Sequence, residues 1–151
     1  MWYIPSTMNR ADLQKLAELR IQEAKLLLDN RFHEGAYYLA GYAIECALKA
    51  CIAKKTKAHD FPDLKLAKDS YEHNLSSLLK TAGLEALLMA ELRINRKLAN
   101  NWKTVSGWSV EARYEPFGPG DILDLTNHAA DLYSAIMDSE DGLLPWLKKH
   151  W

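Results

Sequence analysis

Glu45 and Lys49 lie four residues apart with the carboxylate on the N-terminal side, the favourable orientation for an ion pair on one helix. They interrupt an apolar stretch, residues 36–51, in which Ala36, Ala40, Ala43, Ala47 and Ala50 or Cys51 recur at helical spacing. Charges in such surroundings need a partner, so the pair reads as a structural bridge at the rim of the core, with ligand binding as the alternative. Arg93, Arg96, Lys97, Asn100 and Lys103 fall at i, i+3, i+4, i+7 and i+10. Donors in line along one helix face suit a phosphate backbone, although the same pattern also describes a solvated face. Arg113 beside Tyr114, with Trp108 close in sequence, offers a guanidinium and aromatic faces on which a base could stack. The preferred reading has Tyr114 and Trp108 closing the end of the core and Arg113 pairing with a carboxylate such as Glu45 or Glu111. His73 stands at the start of a helix, where a capping or packing role is preferred to proton transfer.

Other chemistry finds less support. Asp124 and His128 have a spacing that can bind a metal, but no third ligand accompanies them, and no metal is expected. Cys46 and Cys51 sit about 140° apart around a helix at ~100° per residue, so they cannot pair with each other and read as small core residues. There is no Gly-rich phosphate loop, Cys-x-x-Cys pair or nucleophile elbow, and no cofactor is called for.

The elements that must position these residues are helical. Thr7 or Asn9 is a candidate N-cap for a first helix carrying Leu13, Leu16, Ala17, Arg20, Ala24, Leu27 and Leu28 inward to about Asn30. A second and central helix is predicted from about Phe32 to Lys55, its small residues admitting a close neighbour. Lys54, Lys55 and Lys57 gather at its end, where the helix dipole favours cations. Residues 56–72 read as the longest loop. Asn74 then caps a short third helix with Leu75, Leu78 and Leu79 inward and Gly83 as its stop. A fourth helix is predicted from about Leu84 to Val105, and a fifth after Pro119-Gly120, with Asp121 near its N-cap and Ile122, Leu125, Ala129, Leu132 and Ile136 inward. Gly142 and Pro145 leave residues 141–151, with Trp146, Leu147 and Trp151, as an apolar tail. The reading is an all-α, up-and-down bundle of four to five helices in a single domain spanning residues 1–151, with its core at about 10–140.

Composition agrees. A chain of 151 residues can bury about two thirds of its unfolded surface, and 48% hydrophobic with 26% charged residues is ordinary for a globular protein. A net charge of −1 supplies no global attraction to nucleic acid or to anionic membrane, so any such binding must come from a local patch. No secretory signal and no membrane-length apolar run is evident, so a cytoplasmic location is expected. Trp2, Tyr3, Ile4, Trp146 and Trp151 crowd the two termini, and covering them predicts a homodimer.

Taken in order, residues 40–50 (Ala-Gly-Tyr-Ala-Ile-Glu-Cys-Ala-Leu-Lys-Ala), His73-Asn-Leu-Ser-Ser-Leu, Arg113-Tyr114-Glu-Pro116 and Ala129-Ala-Asp-Leu-Tyr133 resemble the HEPN domain, the higher eukaryotes and prokaryotes nucleotide-binding family. The resemblance covers about residues 15–140. It implies a helical bundle, frequently a homodimer, that binds nucleotide or RNA and is often encoded beside a small nucleotidyltransferase. Many members are ribonucleases of toxin–antitoxin or antiviral systems and carry an Arg followed four to six residues later by His. None of Arg10, Arg20, Arg31, Arg93, Arg96 and Arg113 has such a His. Arg96 has Asn100 and Asn101 there instead, and an amide cannot exchange a proton near neutral pH. The expectation is a nucleotide- or RNA-binding module without nuclease activity. The alternatives are a ribonuclease toxin with a non-standard site, drawing on His73 with Lys68 or Arg113, and a docking partner of a small nucleotidyltransferase. Ligand, pathway and turnover are not legible in the sequence.

Overall fold

Residues 8–57, 68–109 and 121–151 are described in a computed structural model, with the backbone alone for 57 and 121–126. The described residues form seven helices and no strand: α1 (Arg10–Asp29), α2 (His33–Lys57), α3 (Leu75–Thr81), α4 (Glu85–Leu92), α5 (Arg96–Ser106), α6 (Asp121–Met137) and α7 (Leu143–Lys148). None of them is long and apolar enough to cross a membrane.

The helix starts follow their capping residues. Asn9 accepts from the Asp12 backbone at 2.9 Å while Asp12 accepts from the Asn9 backbone at 3.1 Å, a reciprocal box that opens α1. Asn74 opens α3 by accepting from the Ser77 N–H at 2.9 Å. Thr7, the other candidate cap for α1, lies outside the described residues, as does most of the predicted 56–72 loop.

Helix ends show a contrast. After α3 the chain turns through Gly83 at φ 74°, with Gly83 N–H bonded to Lys80 O and Leu84 N–H to Leu79 O. After α1 the same paired bonds form, Arg31 N–H to Leu28 O and Phe32 N–H to Leu27 O, but the left-handed position is filled by Arg31 at φ 65°. A side chain with a Cβ there costs about 1–2 kcal/mol that glycine would not.

Two predicted boundaries are corrected. The single helix from Leu84 to Val105 is two, because Asn95 leaves the helical region (φ −124°, ψ 97°) and caps α5 by accepting from Leu98 N–H at 3.0 Å. Its amide also donates to Asp141 Oδ1 at 2.7 Å, so the break is tied to the far end of the chain. The apolar tail is the second correction. Leu143, Leu144, Trp146 and Leu147 of α7 are all buried in the core, and Trp151 packs against it. Against the expected four to five helices, seven are seen among the described residues, and the core extends past residue 140.

Helix α2 is the shared wall of the bundle, packing against α1, α3, α6 and α7. Residues 41–50 are buried without exception, so this stretch has no solvent face. Trp108, directly after α5, is buried as expected and lies over Gly41. Its indole N–H donates to the Tyr37 carbonyl of α2 at 3.1 Å.

Candidate functional site

Glu45 projects from the fully buried stretch of α2 and is 0% exposed, with Lys49 one turn later at 5%. The pair is thus inside the core and not at its rim, because α2 is enclosed by helices on every side at this level. Lys49 Nζ donates to Glu45 Oε2 at 3.3 Å, and His73 Nδ1 meets Oε1 at 2.9 Å. Two oxygens of one carboxylate therefore serve two bases from different elements. A buried carboxylate needs partners of this kind, since desolvation costs several kcal/mol per ion.

Local structure before α3 sets the histidine. Glu72 accepts from the backbone N–H groups of His73 at 2.9 Å and Asn74 at 3.0 Å. Those two donors, Asn74 first, hold its carboxyl below the usual range. Asn74 caps α3, and Leu75, Leu78 and Leu79 dock that helix into the core against α2. His73 is left over Glu45 with its side chain 38% exposed. The Nδ1 of His73 is engaged by Glu45, so Nε2 is the nitrogen left for other contacts.

The flanking groups are inert by comparison. Burial pushes the Tyr42 hydroxyl well above the usual phenol range, and it pushes the thiols of Cys46 and Cys51 up to about 12. Both cysteines are buried and free, in keeping with core residues.

The predicted cationic line is divided. Arg93 caps the end of α4, whereas Arg96, Asn100 and Lys103 remain together as an exposed i, i+4, i+7 face of α5. Lys97 points elsewhere, bridging to Asp138 Oδ2 at 3.0 Å. That bond raises the Lys97 ammonium, while the Asp141 backbone N–H, then Lys97, holds Asp138 down to about 2. Arg113 and Tyr114 lie outside the described residues, as do Trp2, Tyr3 and Ile4. The C-terminal aromatics invoked for a dimer fold back on their own chain: Trp146 is buried and its indole N–H donates to Glu91, and Lys148 sits 5.6 Å from the Trp151 ring centre.

The Glu45–His73 link had no signature in spacing, since 28 residues separate the two. The only sequence clue was that one lysine leaves a buried carboxylate half satisfied.

The HEPN domain family model matches residues 11–140. The chain belongs to the HEPN family. No curated protein and no solved structure gives a match. Within this HEPN domain the matched span holds Glu45, Lys49, His73 and the α5 face, and it stops short of α7.

Proposed function

We propose that this HEPN domain is a nucleotide- or RNA-binding module in which α5 contacts phosphates. The observation that carries the reading is the exposed line of Arg96, Asn100 and Lys103 on one face of α5, with Arg93 exposed at the preceding corner. Arg96, Asn100 and Lys103 follow one another at one-turn intervals, so the two cations stand two turns apart, about 10 Å along the axis, with a neutral amide donor between them for the phosphates they span. Such contacts release counterions, so affinity falls with salt by about one counterion per neutralised phosphate. Replacing Arg96 and Lys103 together by Ala is expected to lower affinity for single-stranded RNA at about 0.1 M salt, where the Debye length is about 10 Å, and to flatten the salt dependence by roughly two contacts. Unchanged affinity and slope in that variant would remove the reading.

A second reading, a metal-independent ribonuclease, is favoured by one observation. Glu45 orients a part-exposed His73 by its Nδ1, the arrangement that readies Nε2 to take a proton. Here Nε2 accepts the proton of a ribose 2′-hydroxyl, that oxygen bonds to the adjacent phosphorus, the P–O5′ bond breaks, and the leaving 5′-oxygen takes a proton from water to give a 2′,3′-cyclic phosphate and a 5′-hydroxyl. Cleavage of RNA that disappears in His73→Ala and survives the α5 variant would select this reading over the first. Homodimerisation and docking to a nucleotidyltransferase stay as proposals resting on the family, with light scattering and co-purification as their measurements.

A further inference from the structure

At the corner between α1 and α2 a cleft of about 630 Å³ is lined by Arg31, Phe32, His33, Glu34 and Tyr38, on the floor of Leu27. Three features of this corner are unexplained by packing. Arg31 occupies the left-handed turn position that glycine fills after α3, and no other described non-glycine residue has positive φ. Phe32 is 64% exposed although large aromatics are usually covered. The Nδ1 of His33 is buried with no hydrogen-bond partner among the described residues. Tyr38, by contrast, is firmly backed, with its ring 6.2 Å from Tyr42 and 6.1 Å from Trp108.

We propose that this cleft binds a nucleoside monophosphate unit. The volume lies within the range of small-ligand sites. Phe32 and the rigid Tyr38 provide aromatic faces for a base, a contact open to any base because each has a π-face. Arg31 supplies the planar guanidinium that suits a phosphate, a group that glycine, the easier residue at this turn, lacks. Glu34 can accept from a ribose hydroxyl or a base amino group.

The inference rests on the nucleotide-binding reading of this HEPN domain but uses a different surface from α5. The unit recognised can be a free nucleotide or the end of a strand, and both are tested. Adenosine monophosphate and a 5′-phosphorylated trinucleotide are titrated by NMR into the parent, Arg31→Gly, Phe32→Ala and the Arg96→Ala/Lys103→Ala variant, each checked by thermal melting. Arg31→Gly is expected to keep or raise the melting temperature, because it relieves the turn, while weakening binding about tenfold or more through the lost charge-assisted bond. Phe32→Ala is expected to weaken binding about fivefold or more with little effect on melting, since the ring is mostly exposed. The α5 variant is expected to keep adenosine monophosphate binding. Binding of the trinucleotide alone, lost in Arg31→Gly, assigns the cleft to strand ends. If neither probe shifts resonances at this corner at millimolar concentration, or if both corner variants bind as the parent does, the proposal is wrong, whatever the α5 variant shows for RNA.

Discussion

The indole of Trp108 fills the volume that a side chain at Gly41 would need: a Cβ on Gly41 would stand 2.1 Å from Trp108 Cε2. Gly41 is therefore not a weak point of α2 but the seat of the residue that closes this side of the bundle. Gly41→Ala gains about 1 kcal/mol of helix propensity and loses more by forcing the ring off its site, for a net destabilisation of about 2 kcal/mol. Urea unfolding measures it. In the Trp108→Ala background the same substitution should be close to neutral or stabilising, which a double-mutant cycle tests.

Removing one member of the buried pair leaves an uncompensated charge. Lys49→Met and Glu45→Gln are each expected to destabilise by about 3–5 kcal/mol, and the double variant by much less than their sum. Equilibrium denaturation of the four proteins decides it. Additive losses would mean that Glu45 and Lys49 are not coupled.

Asn95 caps α5 and also holds Asp141, so Asn95→Ala removes two bonds at the α4–α5 break. A loss of about 1–2 kcal/mol is expected, with protection of the first α5 amides reduced in hydrogen exchange.

Asp138 contributes through ionisation. Its carboxyl is held down to about 2 by the backbone N–H groups and Lys97, against an ordinary 3.8. A depressed carboxylate stabilises the fold above its unfolded value, and that contribution is lost as pH falls through the folded value. The stability difference between the parent and Asp138→Ala should be constant near neutrality and shrink between about pH 4 and pH 2. Thermal melts across that range test it.

Much of the fold was legible because single residues mark it. Asn9, Asn74 and Gly83 set boundaries that the structure keeps, and the small-residue stripe of residues 36–51 belongs to a central helix. Asn95 falls on the same side as Leu84, Leu88, Leu92, Ala99 and Trp102 in a continuous helical period, so its capping role shows only once Asp141 is beside it. Gly142 and Pro145 interrupt the apolar period of the tail, yet a helix can open with a proline in its first turn, as α7 does. The site was legible in its members more than in its geometry. Glu45, Lys49 and His73 were candidates, but periodicity says nothing about a bond between residues joined through an intervening segment. The corner at Arg31 and Phe32 carried no motif and emerged only from backbone conformation and exposure.

Helix α2 borders α1, α3, α6 and α7 at once. Loss of α2 packing anywhere between residues 41 and 50 is therefore felt by all four neighbours. The expected outcome is that these helices melt together with α2 in one cooperative transition.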